Sequence, residues 1–339
     1  MLREIRSCAY LRGMPRLVIS GDTDLLAIRF ARSPAWETHE AVRSLVDERS
    51  GVYHGPWRDA VAALAVRLDL AALYAVSALE KGWVPDFLTP PPSAPAPALQ
   101  EQLVEIRTTP IEQVAAELER CRANDDGTDR LSALESLIAD PVAARAILAD
   151  QLGAAWEALV APFWVRIGAL IDADIDYRSR RLATGGLRGM LADLHPDIRW
   201  IDGAIQVSAL PDVDVELAGR GLVLMPSAYV WPSVVAIVDE PWQPTVVYPA
   251  RGVGELWAAP ATPPQALERL LGRTRALLLV SLDEPMSTTA LATRLGRSAS
   301  GVSGHLLALR DAGLVAAARR GHEVRYARTE LGDALLQGG

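Results

Sequence analysis

The chain has 339 residues, half of them hydrophobic and 22% charged, which is the composition of a globular protein large enough for two domains. Its apolar stretches are interrupted before they reach the roughly 20 residues that a membrane-spanning helix needs, and the N-terminus lacks the pattern of a secretion signal. We therefore expect a cytoplasmic protein without a membrane partner.

The net charge of −8 argues against nucleic-acid binding by the chain as a whole, but the charge is unevenly distributed. From Thr262 to Gly339 there are ten arginines and seven acidic residues, a net charge of +3. The remainder has 24 basic and 35 acidic residues, a net charge of −11. A basic tail on an acidic body is expected when only the tail contacts phosphate groups.

The first two thirds of the chain favour helices. Residues 1–14 have no periodic pattern, which predicts a disordered leader with Met14 as the functional start, and a strand-like run follows at 17–20. Six prolines predict an extended connector at 84–98. Apolar residues recurring at threes and fours predict helices at 36–48, 55–81, 99–107, 110–123, 131–139, 141–183 (with a break near Pro162) and 185–194.

Short β-rich runs follow these helices, at 199–209, 221–225, 234–238 and 245–248. They predict a small antiparallel sheet packed on the helices. Prolines then mark a linker at 260–264. The expected fold class is α+β, with a mainly helical N-terminal domain at 15–259 and a separate C-terminal domain at 265–339.

The C-terminal domain is predicted to contain a helix-turn-helix. Helices are expected at 265–271, 274–282 and 289–295, and a further helix runs from its capping residue Ser298 to Ala312. Within this last helix the apolar residues recur at i, i+4 and i+7, which predicts that Val302, Leu306 and Leu309 pack against Leu291 and Leu295.

Two strands, at 314–319 and 324–328, predict an arginine-rich hairpin, followed by a helix at 330–336. The complete order is that of a winged helix-turn-helix, in which the second helix enters the DNA major groove and the hairpin meets phosphate or the minor groove. The predicted partner is double-stranded DNA, and the predicted contact residues are Ser298, Ser300, Ser303, Gly304, His305, Arg310, Arg319, Arg320, His322 and Arg325.

Residues 287–296 (STTALATRLG) and 302–315 (VSGHLLALRDAGLV) resemble the ArsR (SmtB-like) family of transcription regulators, and the resemblance covers about 265–337. Residues 180–187, 193–196 and 246–253 resemble the larger actinobacterial members, which have an extra N-terminal domain. The resemblance implies a regulator, and we expect repression by promoter occupation. We also expect a homodimer built from helices 265–282 and 330–336, controlled by a small-molecule effector or protein partner at the N-terminal domain.

The sequence predicts no metal and no other cofactor. Metal-sensing members of the family carry Cys-x-Cys in the first helix of the motif, where this chain has TTALATRL. Asp172, Asp174 and Asp176 begin like a calcium loop, but the sixth position lacks glycine and Ala183 occupies the twelfth, so a solvated acidic helix is the preferred interpretation. Gly304 stands where the family usually has a long polar residue, which predicts weaker base readout.

Three alternatives remain open. The chain could be an enzyme fused to a DNA-binding tail, although no acid–base pair or nucleophile is apparent, and we predict that it is not an enzyme. It could be a chromosome-binding protein that tolerates many sequences, or its C-terminal domain could contact another protein.

Nine tryptophans, all before residue 258, either line an aromatic effector pocket or pack in the core.

Overall fold

A computed structural model of the chain describes residues 16–19, 21–46, 51–77, 84–123, 131–207, 214–257, 263–283, 285–295, 297–320 and 323–337. The fold is mixed, with mostly helices and several small sheets, as the α+β class requires. The predicted leader at 1–14 and the start of the predicted linker lie outside the described residues. Within the described part of the chain, no helix combines the length and apolar character needed to cross a membrane.

Contacts divide the chain into two compact units. The first is Met1–Pro162 with Asp174–Ala250, and the second is Phe163–Ala173 with Arg251–Gly339. The second unit therefore takes in more of the chain than the predicted 265–339.

The first unit contains nine helices within the described residues, if the long helix that starts in the second unit is included. Two of these helices begin with a capping side chain followed by proline at the first helical position. The Ser33 side chain accepts a hydrogen bond from the Trp36 N–H at 3.0 Å, and the Asp140 side chain accepts one from the Ala143 N–H at 2.9 Å. The helices are α1 (Asp22–Leu26), α2 (Pro34–Ser44), α3 (Gly51–Ala65), α4 (Ala71–Val76), α5 (Leu99–Thr108), α6 (Ile111–Ala123), α7 (Leu131–Ala139), α8 (Pro141–Ala155) and α9 (Trp164–Leu191).

Two features of the helices differ from the prediction. The single helix expected at 55–81 is interrupted between α3 and α4, where Val66 is 88% exposed and Asp69 accepts from the Ala71 N–H at 3.2 Å. The predicted break near Pro162 consists of a π-helical turn at Trp156–Val160 and a 3-10 turn at Ala161–Phe163. The local hydrogen bond between the Asp69 side chain and the backbone competes with the helix, and apolar periodicity alone does not reveal it.

The strands of the first unit form two mixed sheets, so the prediction of one small antiparallel sheet is wrong. The first sheet has the order β3-β4-β1-β5, and its β1–β5 pair is parallel. The second has the order β2-β6-β8-β7, and both β2–β6 and β6–β8 are parallel. The strands are β1 (Arg16–Val18), β2 (Ile28–Phe30), β3 (Ile198–Ile201), β4 (Ala204–Val207), β5 (Val215–Glu216), β6 (Leu222–Ser227), β7 (Val235–Ile237) and β8 (Thr245–Pro249).

Burial explains this pairing. Every residue of β6 is buried, and its continuous apolar run is typical of a strand covered on both faces rather than one with a solvent face. Gly221, just before β6, has φ +68°, and a Cβ there would lie 2.4 Å from the Ala27 Cβ. The glycine therefore allows the chain leading into β2 to approach β6 closely.

A buried ionic network links α9 to β8. The Arg178 side chain is 1% exposed, and its Nη1 lies 2.5 Å from Asp193 Oδ1. Its Nε lies 3.6 Å from Asp174 Oδ1, and the Tyr248 hydroxyl donates to Asp174 Oδ2 at 2.9 Å. Asp174 and Asp176 are both buried, so the preferred interpretation of this stretch as a solvated acidic helix is wrong, although it is helical.

The second unit has five helices and one three-stranded sheet among its described residues, besides the first part of α9. Its sheet has the order β10-β11-β9, and all pairs are antiparallel. Its core contains Leu278, Leu279, Leu291 and Leu306. The elements are α10 (Gln265–Leu271), α11 (Arg273–Ser281), β9 (Met286–Ser287), α12 (Thr288–Arg294), α13 (Ala299–Asp311), β10 (Val315–Arg320), β11 (Glu323–Arg328) and α14 (Glu330–Gln337).

Candidate nucleic-acid interface

The candidate interface is built on α13, whose orientation is fixed by its cap and its apolar face. Ser298 caps the helix, because its Oγ accepts from the Gly301 N–H at 3.2 Å. Val302, Leu306 and Leu309 are buried in one cluster with Leu291, as the spacing predicts. Burying three apolar side chains contributes about 5–9 kcal/mol, so the helix cannot rotate its polar face inward at low cost.

The opposite face of α13 carries the short polar residues that the sequence analysis singled out. Ser300, Gly304 and Arg310 are exposed, and Ser303 and His305 are half-buried. Arg310 Nη2 lies 2.8 Å from Asp311 Oδ1 in a solvent-exposed ion pair. Such a pair contributes roughly 0–1 kcal/mol, so a phosphate can displace the carboxylate at little cost.

Arg297 is a candidate contact that the sequence analysis did not name. It is exposed and lines a shallow depression with Thr274, Ser298, Gly301 and His305. A cation directly before a helix N-terminus adds to the positive end of the helix dipole and its unpaired N–H groups. The available signal was its position next to a capping serine.

The predicted cations of the β10–β11 hairpin differ in how the structure describes them. Arg319 is exposed and pairs in register with Val324, and Arg320 pairs with Glu323 at the end of the hairpin. Only the backbone of Arg320 is described, and His322 lies outside the described residues. Arg319 is therefore the candidate phosphate contact whose side chain is both described and exposed.

Arg325 occupies a different environment from the one expected. Its side chain is 14% exposed, and its Nη2 donates to Asp172 Oδ2 at 3.0 Å. Asp172 belongs to the part of α9 that lies in the same unit. Arg325 thus holds α9 against β11, and the phosphate contact that the sequence predicts would have to compete with this ion pair.

The first unit contains a buried carboxyl group with a strongly altered pKa. Burial raises the pKa of Glu37 to about 8. Hydrogen bonds from Ser227 and from the backbone of Ala228 and Tyr229 lower this pKa, but they do not outweigh the effect of burial. Burial alone would also raise the pKa of Glu40, but Arg43 and His39 more than offset it and hold the pKa at about 2. One turn of α2 thus carries a carboxyl that is protonated at neutral pH beside one that is ionised.

Two further groups of the first unit have strongly altered pKa values. Burial lowers the pKa of His54 to about 4, and the imidazole stacks on Tyr229 with ring centroids 4.4 Å apart. Burial and the neighbouring Glu117 and Asp239 raise the pKa of Asp86 to about 8. Trp36 and Trp57 are buried and pack in the core rather than line an open pocket.

No metal site accompanies these groups in the described part of the chain, where no cluster of three or more histidine, cysteine or acidic residues is placed to hold an ion. Cys121, the one cysteine among the described residues, is buried.

One family model matches the chain, over residues 100–254. It is a family of unknown function, DUF5937. No curated protein and no solved structure matches. The matched segment runs from α5 beyond β8 and ends before α10, so the candidate interface lies outside it.

Proposed function

We propose that the protein is a sequence-specific, double-stranded-DNA-binding transcription regulator of the ArsR type, with a winged helix-turn-helix in its second unit. The observation that carries the proposal is the order α11-β9-α12-α13-β10-β11, in which the two-residue strand β9 pairs with β11. A short strand between the first two helices, completing a sheet with the hairpin, is typical of winged helices. The sequence analysis did not anticipate β9, so it supports the proposal independently of the motif.

In the proposed complex α13 lies in the major groove. Ser300 and Ser303 hydrogen-bond base edges, since short hydroxyls can donate and accept there. Arg297, Arg310 and Arg319 contact phosphates, which position the protein without reading the sequence. Gly304 contributes no side chain, so specificity depends more on the serines and on DNA shape.

The proposed regulator is a homodimer. Leu270 on α10 and Leu331 on α14 are 69% and 55% exposed, and both lie on helices that the sequence assigned to the interface. Large apolar side chains exposed on such helices are favourable partners in a two-fold contact. The dimer places two copies of α13 in successive major grooves, about 34 Å apart.

The first unit supplies regulation in this proposal, through an effector or a protein partner that binds the two states of the dimer with different affinity. Repression follows from occupation of a promoter. This activity would take place in the cytoplasm of a bacterial cell.

Fluorescence anisotropy tests the proposal, with the full chain, a duplex selected from a random library and a scrambled duplex. We expect Ser303→Ala to cost about 1–3 kcal/mol on the selected duplex only, since the serine reads bases. Arg319→Ala should weaken binding to both duplexes and reduce the slope of log K against log salt by about one.

Ser136→Ala is the matched control, because Ser136 is an exposed helical serine of the first unit. It should bind both duplexes as the unaltered chain does. Equal affinity for the two duplexes would favour the sequence-tolerant chromosome-binding alternative, and no binding to either would refute the proposed function.

A further inference from the structure

The chain reverses direction near the end of α9, at Gly186. This residue has φ 61° and ψ −169°, a combination that is essentially restricted to glycine. Across this point the Tyr177 hydroxyl donates to Asp193 Oδ2 at 2.6 Å. In a straight helix these two residues would lie about 24 Å apart, so the chain after Gly186 folds back along the preceding part of α9. We call the turn, residues 180–188 of the first unit, the arginine tip.

The arginine tip concentrates positive charge in an acidic part of the chain. Residues 179–192 contain three arginines and no acidic residue, whereas the whole chain outside the basic C-terminal tail has 24 basic and 35 acidic residues. A Cβ at Gly189 would lie 3.6 Å from the Arg181 carbonyl oxygen, so the two sides of the tip are in contact. This contact brings Arg188, the neighbour of Gly189, close to Arg181. The cations therefore form a cluster rather than a row along a helix.

Two of the three arginines are accessible and have no charged partner. Arg180 and Arg188 are exposed, and neither side chain forms an ion pair or a hydrogen bond in the part of the chain that the structure describes. By contrast, the exposed Arg122 of the same unit has its Nη2 2.6 Å from Glu119 Oε2. A phosphate that reaches Arg180 or Arg188 displaces only water and gains charge-assisted hydrogen bonds.

The exposure of the tip favours an extended polyanion over a small anion. Every residue from 182 to 186 is exposed, so the tip is an open surface, whereas small molecules bind in concave sites that bury most of their area. Leu182, 40% exposed, is the one large apolar side chain that the tip exposes. A membrane-binding surface needs a wider apolar face beside its cations. A sugar-phosphate backbone needs only accessible cations, and the small Gly185 and Gly186 let it approach closely.

We propose that the arginine tip is a second DNA-contacting surface of the chain, which binds the phosphates of a duplex without reading its sequence. Arg180 and Arg188 donate to phosphate oxygens, and such contacts add affinity but carry no sequence information directly. Specificity remains with α13. The choice of DNA as the polyanion rests on the proposed function.

Salt-dependent fluorescence anisotropy tests the inference, with the full chain and two long duplexes of equal length. One carries the selected sequence with flanking DNA on both sides, and the other is scrambled. The double variant Arg180→Gln/Arg188→Gln should reduce the slope of log K against log salt by about two on both duplexes, since each phosphate contact releases about one counterion. The affinity lost between about 50 and 200 mM salt should then shrink about tenfold.

The matched control is the double variant Arg67→Gln/Arg122→Gln. Both residues are exposed arginines of the first unit outside the tip, so the control removes the same net charge. Its salt slope should equal that of the unaltered chain. An equal loss of slope in the two double variants would overturn the inference, because the effect would then come from net charge and not from contact at the tip.

Two adjacent glycines test the tip without changing any charge. Nothing lies within 4 Å of a Cβ at either Gly185 or Gly186, but only Gly186 has a positive φ. Gly186→Ala should distort the turn and lower the salt slope by about one to two, whereas Gly185→Ala should bind as the unaltered chain does. The exposed arginine variants decide the inference even if Gly186→Ala melts early.

The outcomes separate the tip from the proposed function. Retained preference for the selected duplex, with arginine-tip variants that bind like the unaltered chain, overturns the inference and leaves the proposed function standing. Equal affinity for the two duplexes, with the arginine dependence intact, refutes sequence-specific binding and not the tip. Arginine-dependent binding to phosphatidylcholine vesicles with about one third phosphatidylglycerol, without an effect on DNA, would assign the tip to a membrane and overturn the inference. No binding to either duplex refutes both.

Discussion

Arg319 and Arg325 are arginines of one hairpin with different environments, and the difference can be measured. Arg319 is exposed, whereas Arg325 forms a partly buried ion pair with Asp172. Arg325→Ala should lower the free energy of unfolding by about 1–3 kcal/mol, because Asp172 loses a charge-assisted hydrogen bond. Urea denaturation checks this.

Arg319→Ala is the matched control and should change stability by less than about 0.5 kcal/mol. A double-mutant cycle with Asp172→Asn isolates the pair, and we expect the two changes to be clearly non-additive. If Arg325→Ala left stability unchanged and altered only the salt dependence of DNA binding, the ion pair would not be the role of this residue.

The buried carboxyl of Glu37 predicts an unusual dependence of stability on pH. Its pKa of about 8 in the folded chain exceeds the usual value of 4.5, so between these values the folded chain holds a proton that the unfolded chain has lost. The contribution to stability is fully present below pH 4.5 and is lost as pH rises towards 8. Asp86, also near 8, acts in the same direction.

The window from pH 6.5 to 8 excludes the opposing effect of His54. His54, with its pKa lowered to about 4, acts in the opposite direction, but only between about 4 and its usual 6.5. Glu37→Gln should therefore remove about 1–2 kcal/mol of the stability loss across this window, measured by thermal melting at several pH values. The same slope in Glu37→Gln as in the unaltered chain would contradict the assignment.

At the scale of elements, two helical glycines of the second unit predict opposite effects. A Cβ at Gly332 of α14 would lie 2.3 Å from the Leu314 carbonyl oxygen, whereas nothing lies within 4 Å of a Cβ at Gly304 of α13. Gly332→Ala should destabilise the chain by about 1–3 kcal/mol, because backbone must move. Gly304→Ala should stabilise it by about 0.5–1 kcal/mol, since alanine favours a helix.

Chemical denaturation of the two variants checks this pair. Stabilisation by Gly332→Ala would contradict the close packing of α14 on the turn before β10. Destabilisation by Gly304→Ala would contradict the open, exposed position of this residue on α13.

The helices and the C-terminal elements could be predicted because their signals are local. The repeat of Val302, Leu306 and Leu309 and the cap at Ser298 lie within one helix, and the structure places these residues as predicted. For the same reason the bounds predicted for α7 and α10 coincide with those observed. Once the buried face of α13 was predicted, the exposed polar face on its opposite side could be predicted as well.

The strands that the sequence analysis missed are defined by distant partners. Ile28 pairs with Leu222, and Met286 with Tyr326, so strands of two or three residues form without any alternation of their own. Parallel pairing left one local mark, the continuous apolar run of β6, which the sequence analysis did not use. The ion pair of Arg325 with Asp172 joins residues 153 positions apart, which explains why its role could not be predicted.

At the scale of the whole molecule, the proposed dimer depends on two exposed leucines. Leu270→Glu and Leu331→Glu should shift the chain from dimer to monomer in sedimentation analysis, because each puts a charge into the apolar contact. They should also weaken binding to a two-half-site duplex by at least tenfold, since the second site no longer adds affinity.

Val66→Glu is the matched control, because Val66 is 88% exposed in the first unit and outside the proposed interface. It should sediment as the unaltered chain does. If the leucine variants remained dimeric, the interface would lie elsewhere, and a monomeric unaltered chain would exclude the proposed dimer.

The most direct test of sequence-specific DNA binding is selection of bound duplexes from a random library by the full chain, followed by sequencing. The account predicts enrichment of a two-fold symmetric sequence, with half-sites centred about 10–10.5 base pairs apart and bound at least about 10³-fold more tightly than random DNA. Recovery of unrelated sequences, without enrichment over the starting library, would contradict it.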